Sequence, residues 1–568
     1  MKVAMVTTGQ ALRSGIGDYT RHMLPHLAKE CELSVFVPPG QLEGESSGRP
    51  LRPLGELRPR EHDHILYQLG NERAHAFMLP LIRTWGGTVV LHDWILFDLA
   101  LAAFPALARG GVRGHLLALR EGGLRQGLIY ARNRWTRRRF RRTGLPGASP
   151  DQVASGASSF GQGWYGPEAE GRWSEPAAAL VLPPEAHRLH FCATDSAGRS
   201  LRICNPRGQV VELGHDELVE GKEVTIELGV GGSGVVLLET SGARPTAEQV
   251  QLGDTRVLGT FFTHLSYTND GGRQVLDLDS PAPAHGADHP LTADRFSLPL
   301  NRSIVRHADS FIVHSEHVAR LVREERNAMT AVRRVPHGAQ GVAVPEGGQS
   351  RAELRRELGL DDDWLSVSLF VSFGALQRHK RIDKLLAALG QARERGVDLR
   401  LVLAGALRVE EMDVESAVAQ AGLTDAVIVT GYLAEEEIDP WIDAADVCVN
   451  LRGPSTGGTS GGLHRCLGRG RMVLASDLDE QGELPDSCVL KVAPGPGEVR
   501  ALARVMEELA LDPGRRRQYE AAACRYVEES CQWSRVARQY VTGLATFPHP
   551  RARRASLIKS AVAAADGG

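Results

Sequence analysis

The sequence predicts an α/β molecule: two Rossmann-like domains facing each other, with an all-β sandwich inserted in the first. Three observations carry that expectation. Apolar strands alternate with helically spaced segments over about 1–145, which implies βαβ units and a parallel sheet. The texture then changes to short alternating segments separated by turns, and from about residue 365 the βαβ rhythm resumes. A chain of 568 residues is also too long for one ordinary core.

Taken in order, KVAMVTT at 2–8 is a compact apolar strand, a first β-strand and not a signal peptide. After the turn GQALRSGIG, Tyr19, Met23, Leu24 and Leu27 have helical spacing, and SVFVP at 34–38 is a second strand. HILYQLG at 64–70 and GTVVLHD at 87–93 repeat the strand signal. The small, glycine-rich stretch TGLPGASPDQVASGASSFGQG has the composition of a linker. Beyond it Val224, Ile226 and Leu228 alternate with polar neighbours, as in a half-buried antiparallel strand. Residues 301–325 return to helical periodicity around the strand FIVHS, and a second linker follows at 337–350. Strands are then expected in 365–374, 399–405, 426–431, 447–452 and 472–477, followed by helices to about 545. The expected division is 1–150 and 263–340 for the first Rossmann-like domain, 151–262 for the sandwich, 341–545 for the second and 546–568 for a poorly ordered tail.

Composition narrows the function. The chain is 42% hydrophobic with a formal net charge of -3, so nothing global favours nucleic acid. Eight scattered cysteines show no CxxC pair and no zinc spacing, as expected of reduced thiols in a cytoplasmic protein. No apolar stretch of about 18 residues is free of charge.

Two facing Rossmann-like domains bring loops and helix N-termini together in a cleft suited to an anion. In SGIGDY, Gly15 and Gly17 would let backbone approach a phosphate, though a plain tight turn accounts for them equally well. Thr20 stands where a dinucleotide fingerprint needs its third glycine, which excludes a nicotinamide enzyme. PSTGGTSGGLHRCLGRG, 454–470, follows a strand and has the glycine and hydroxyl density of a phosphate cradle, but lacks Asp, Glu and Lys. Thr459, Ser460, Gly461 and Gly462 can donate hydrogen bonds without charge. The cations are expected from SFGALQRHKRIDKLL, where Gly374 is followed by Arg378, Lys380 and Arg381 at a helix start.

These residues resemble the retaining GT-B glycosyltransferases of family four, among them bacterial enzymes of polysaccharide and glycoconjugate assembly. The motifs are GIGDYTRHMLPHLA, YQLGNERAHAFM, VLHDWIL, LNRSIVRHADSFIVHS with VPHG, FGALQRHKRIDKLLAAL, VTGYLAEEEI, AADVCVNLRGPSTGGTSGGLHRCLGRGRMVLASD and CQWSRVARQYVTGL. They cover about 1–145 and 290–545. The resemblance implies a nucleotide sugar bound by the C-terminal domain, a glycan or polyprenyl-linked acceptor received by the N-terminal domain, and no bound metal. It also implies a last helix that crosses back to the N-terminal domain. Lys380 matches the diphosphate-binding lysine. Ala375 replaces the usual arginine, with Arg378 or Arg381 as substitutes. His92 and Asp93 match a pair that meets the donor sugar.

The main departure is in the loop. Relatives carry glutamates where this chain has Gly457, Gly458 and Arg465. Three consequences are open: an altered donor, ribose contacts made by another group such as Arg465, or a degenerate protein that acts as a glycan-binding scaffold through its sandwich. For that last reading Trp164, Tyr165 and Trp173 are candidates to stack on sugars or to fill the sandwich core. RNRWTRRRFRRTG, 132–144, is a basic segment with Trp135 and Phe140. It would suit peripheral contact with the inner face of a membrane, a solvated face, or a cover for the cleft.

Overall fold

The computed structural model describes residues 1–547 apart from 10–13, 39–40, 42–44, 47–48, 144–158, 161–162, 169–170, 176, 184, 195–199, 206–208, 219–220, 229–234, 242–258, 279–294, 342–348 and 408–413. The first expected linker and the tail beyond 547 thus lie outside the described residues.

The N-terminal domain is built on a seven-stranded sheet. From one edge its strands are Ala331–Arg334, Ser310–Val313, Thr88–Leu91, His64–Leu69, Lys2–Val6, Glu32–Val37 and Arg52–Pro53. Every neighbouring pair is parallel. The central strands are buried along their length, as a sheet covered by helices on both faces requires. The C-terminal domain repeats the arrangement with six parallel strands in the order Val427–Gly431, Leu399–Ala404, Ser368–Phe373, Val447–Asn450, Val473–Ser476, Val489–Val492. In each sheet the chain direction of assembly reverses beside the first strand. That point lies between Lys2–Val6 and His64–Leu69 in one domain and between Ser368–Phe373 and Val447–Asn450 in the other. Crevices for ligands open outside the carboxyl ends of strands at such points.

The insert is an antiparallel sandwich. One sheet runs Glu223–Glu227, Arg188–Thr194, Phe261–Asn269, Gly171–Ser174, Trp164–Glu168, and the other Val210–Leu213, Leu201–Cys204, Val235–Thr240, Ala177–Val181, Ser159–Phe160. Phe160, Trp164, Phe191 and Phe262 meet in its core.

Two expectations need correction, and the structure decides two that were open. The sandwich does not end at 262: Phe261–Asn269 is a central strand of it, and Gly272–Val275 pairs alongside. The apolar run FFTHLSY has the same texture in either setting, so only pairing decides its domain. Val489–Val492 and Ala331–Arg334 are strands that short, charge-interrupted segments concealed. Trp533–Thr546 packs on Gly15–Glu30 of the N-terminal domain, the crossing that the resemblance implies. There Trp533, Val536, Tyr540 and Leu544 join the cluster of Val3, Met23 and Leu27. Finally, Trp164 and Tyr165 are buried, and the Trp164 indole N–H donates to Ala179 O at 2.8 Å. Trp164 fills the sandwich core, Tyr165 is buried as well, and of the three Trp173, half-buried beside Phe261 at 4.9 Å, keeps an outward face.

Candidate active site

The two crevices face each other across a cavity of about 370 Å3. Gly15, Asp18 and Tyr19 line it from the N-terminal domain, and Gly374, Lys380, Arg452, Ser460, Gly461 and Arg465 from the other. Gly374 has φ +100°, a conformation that glycine adopts without strain, and the turn carries Lys380 back beneath it. Lys380 makes no ion pair among the described residues. Burial, and then the neighbouring Arg452 guanidinium, lower its pKa to about 7. Arg452 is the cation that motif reasoning missed. It ends the strand VCVNLR and reaches the same cavity, its backbone N–H donating to Ser476 Oγ at 2.9 Å. Burial lowers its pKa too, opposed by Glu480 and Asp93. A basic residue just past the strand beside the switch point was the available signal.

The glycine loop works as a helix start. Ser460 caps Gly461–Gly468, its hydroxyl accepting from Leu463 N–H at 3.3 Å, so the first-turn amides of Gly461 and Gly462 are left facing the cavity. Gly374, Lys380, Ser460, Gly461 and Arg465 are thus brought together. Arg465 is held by Asp439 (2.6 Å) and the Glu435 carbonyl (2.7 Å).

Other expected residues are placed elsewhere. Arg381, with φ +54°, gives its guanidinium to buried Glu498, Nε to Oε1 at 2.6 Å, and does not line the cavity. The Arg378 side chain lies outside the described residues. Gly17 donates its N–H to the Ser14 cap at 3.1 Å, leaving Gly15 alone of the pair on the cavity wall. Thr459 lines a smaller cavity beside it, with His314, His337 and His464.

His92 and Asp93 form the seam between the domains. Asp93 accepts from Asn71 N–H at 2.9 Å, and burial raises its pKa. A Cβ at position 458 would collide with Asp93 Oδ1, and one at 457 with Trp94 Cβ. The Ile95 N–H donates to Thr456 O across the same seam at 3.1 Å. The loop therefore lacks side chains where the opposite domain's carboxylate and indole come against it. That is the physical reason glycine occupies both positions.

His92 begins a row of four imidazoles that crosses the molecule. Ring centres are 5.1 Å apart for His92–His314, 5.4 Å for His314–His337 and 4.8 Å for His337–His464. Burial depresses all four, His314 and His464 to about 4. His314 Nδ1 donates to Val335 O at 3.0 Å, so its Nε2 must accept from His92 Nδ1, 3.3 Å away. His92 Nε2 is then an acceptor, satisfied when Gln68 turns its amide nitrogen, otherwise without a partner, toward it.

Residues 368–512 match the family described as glycosyl transferases group 1. The molecule has the GT-B fold. Among curated proteins, this GT-B chain is 30% identical over 232 residues to 2-deoxystreptamine glucosyltransferase of Streptomyces kanamyceticus, covering 39% of the chain and 57% of that protein. It is 29% identical over 175 residues to the alpha-D-kanosaminyltransferase of the same organism, covering 30% and 43%. The chain thus spans about half the length of the curated relatives it matches. Similar solved structures include sucrose-phosphate synthase from Thermosynechococcus elongatus, with TM-score 0.38, 22% identity and coverage of 45% and 63%. Another is S. aureus TarM in complex with fondaparinux, alpha-GlcNAc-glycerol and UDP, with TM-score 0.42, 8% identity and coverage of 96% and 100%.

Proposed function

We propose that the GT-B chain is a retaining glycosyltransferase that moves a hexose from a nucleoside diphosphate sugar to a glycan or lipid-linked acceptor. The observation that carries this reading is the pair of cations, Lys380 and Arg452, neither in an ion pair among the described residues, in one cavity with the first-turn amides of a helix N-terminus. Such a constellation is matched to a diphosphate. As the bond from anomeric carbon to phosphate oxygen breaks, its electron pair passes to the diphosphate, and these groups stabilise the added charge. The acceptor hydroxyl attacks from the same face, and its proton goes to the departing phosphate oxygen, so no strong protein base is required.

Asp93 supplies the carboxylate that the loop lacks. It comes from the opposite domain to the place beside Gly458 where relatives carry glutamate, and His92 O lies next to it. The donor sugar would bind against this seam, with His92 held by Gln68 and His314.

Calorimetric titration of UDP, GDP and ADP into the protein tests the donor site. Selective binding that falls at least about 100-fold in Lys380→Ala and in Arg452→Ala is the expected outcome. Absence of binding to every nucleotide would overturn the reading.

A further inference from the structure

The chain as a whole is slightly acidic, yet residues 109–143 contain eleven arginines and one acidic residue, Glu121. Glu121 does not offset them at the surface. It is buried, held by Arg83 at 3.3 Å and Arg120 at 2.8 Å, and accepts from Ser303 N–H at 3.2 Å.

Residues Gly111–Thr143 fold as a helical hairpin that reverses at Gly123, φ +71°. Gly127 packs on Leu119, the Tyr130 ring meets His115 at 5.2 Å, and Arg134 Nη1 donates to Ala108 O at 3.0 Å. The inner face, with Ala118 and Tyr130, clusters with Leu298 and Leu300. The outer face is apolar and uncovered by any described residue: Val112 is 79% exposed, Leu116 60%, Leu124 72% and Leu128 62%. Val112, Leu116 and Leu119 follow helical spacing on the first arm, and Leu124 and Leu128 on the second. Five of the eleven exposed large hydrophobic residues among those described lie on this one hairpin, so the patch is not scattered surface apolarity. Beside it a hollow of about 390 Å3 is lined by Phe104, Leu116 and Leu117, with Arg109, Arg113 and Arg120 around them. The helix backbone runs on to Thr143 through five further arginines, Trp135 and Phe140.

We propose that the outer face of this hairpin docks on an anionic phospholipid bilayer. Exposed aliphatic side chains interleaved with arginines match the acyl boundary and the phosphate headgroups together. A nucleic acid would call for the arginines and leave the leucines without a partner. The adjoining face of the second arm gives the arrangement a purpose. Arg125, Gln126 and Ile129 line a cavity of about 370 Å3 that Trp94, Ser455 and Thr456 complete at the domain seam. On the transferase reading, a lipid-borne acceptor would enter here from the membrane.

The test is sedimentation of the full chain with vesicles of phosphatidylcholine alone and of phosphatidylcholine with phosphatidylglycerol, a readout independent of nucleotide binding. The expected result is preference for the anionic vesicles. It should fall at least about tenfold in Arg109→Glu/Arg113→Glu and in Leu116→Ser/Leu124→Ser/Leu128→Ser, with thermal unfolding unchanged. Equal partition into neutral and anionic vesicles would overturn the proposal, as would a serine variant that binds as the parent does. So would a parent dimer that the serine variant converts to monomer, which would assign the patch to a second copy.

Discussion

Lys380 and Arg381 are adjacent in sequence and have opposite fates. Lys380 faces the cavity without an anionic partner among the described residues, while the Arg381 guanidinium is held by Glu498. Lys380→Ala is therefore expected to abolish nucleotide binding with little change in stability. Arg381→Ala is expected to leave buried Glu498 unpaired and cost about 3–5 kcal/mol, read in urea unfolding, with the affinity of the folded protein kept. The lowered Lys380 pKa adds a pH signature. Above about 7 the empty site holds a neutral amine that must regain its proton to meet a diphosphate. Nucleotide affinity should fall as pH rises from 7 to 9. Calorimetry at pH 8 in buffers of different ionisation enthalpy should report proton uptake, absent in Lys380→Ala. At the seam, Gly458→Glu puts a second carboxylate against Asp93, so activity should drop about 100-fold or more. The double variant with Asp93→Ala should recover part of it if one carboxylate at this place is what catalysis needs.

Among the elements, the last helix is the one whose place sequence periodicity could not supply. Trp533–Thr546 has an apolar stripe that would suit either domain, and the resemblance alone suggested a crossing. In the structure Tyr540 and Tyr19 hydroxyls meet at 2.8 Å, and the Trp533 ring lies against Tyr19 and stacks near His22. Gly338 allows this approach, since a Cβ there would run into the Trp533 ring. Gly338→Ala is expected to cost about 1–3 kcal/mol and to raise hydrogen exchange in the final helix before the rest of the fold. Phe261–Asn269 makes the same point in the sandwich: its alternation announces a strand, and only its partners Arg188–Thr194 and Gly171–Ser174 assign it to a sheet.

Across the whole molecule, the domains are tied by polar groups as well as by the final helix. Glu483 of the C-terminal domain accepts from the N–H groups of Glu316 (2.8 Å) and His317 (2.6 Å), at the start of an N-terminal-domain helix. There its charge opposes the helix dipole. Glu435 takes Arg21 and His22 at the other side of the cleft. The buried imidazole row adds a dependence on acid. His314 and His464 stay neutral to about pH 4, while the unfolded chain protonates its histidines near 6.5. Because the unfolded state binds the extra protons, stability should fall as pH drops below about 6.5. At pH 5 each such histidine accounts for about 2 kcal/mol. A urea midpoint that is the same at pH 7 and pH 5 would contradict this.

The sequence by itself determined the two parallel-sheet domains, the β insert, the cationic turn with Lys380 and the glycine- and hydroxyl-rich loop at 454–470. Each of these rests on a local pattern: strand periodicity, glycine placement, or a cluster of residues of one chemistry. Tertiary structure alone decided that Arg452 shares the cavity, that Arg381 does not, that Trp164 belongs to the sandwich core, and that Asp93 occupies the space beside Gly458. Those outcomes depend on which side chain from a distant segment reaches a given volume first. A one-dimensional pattern carries no record of that.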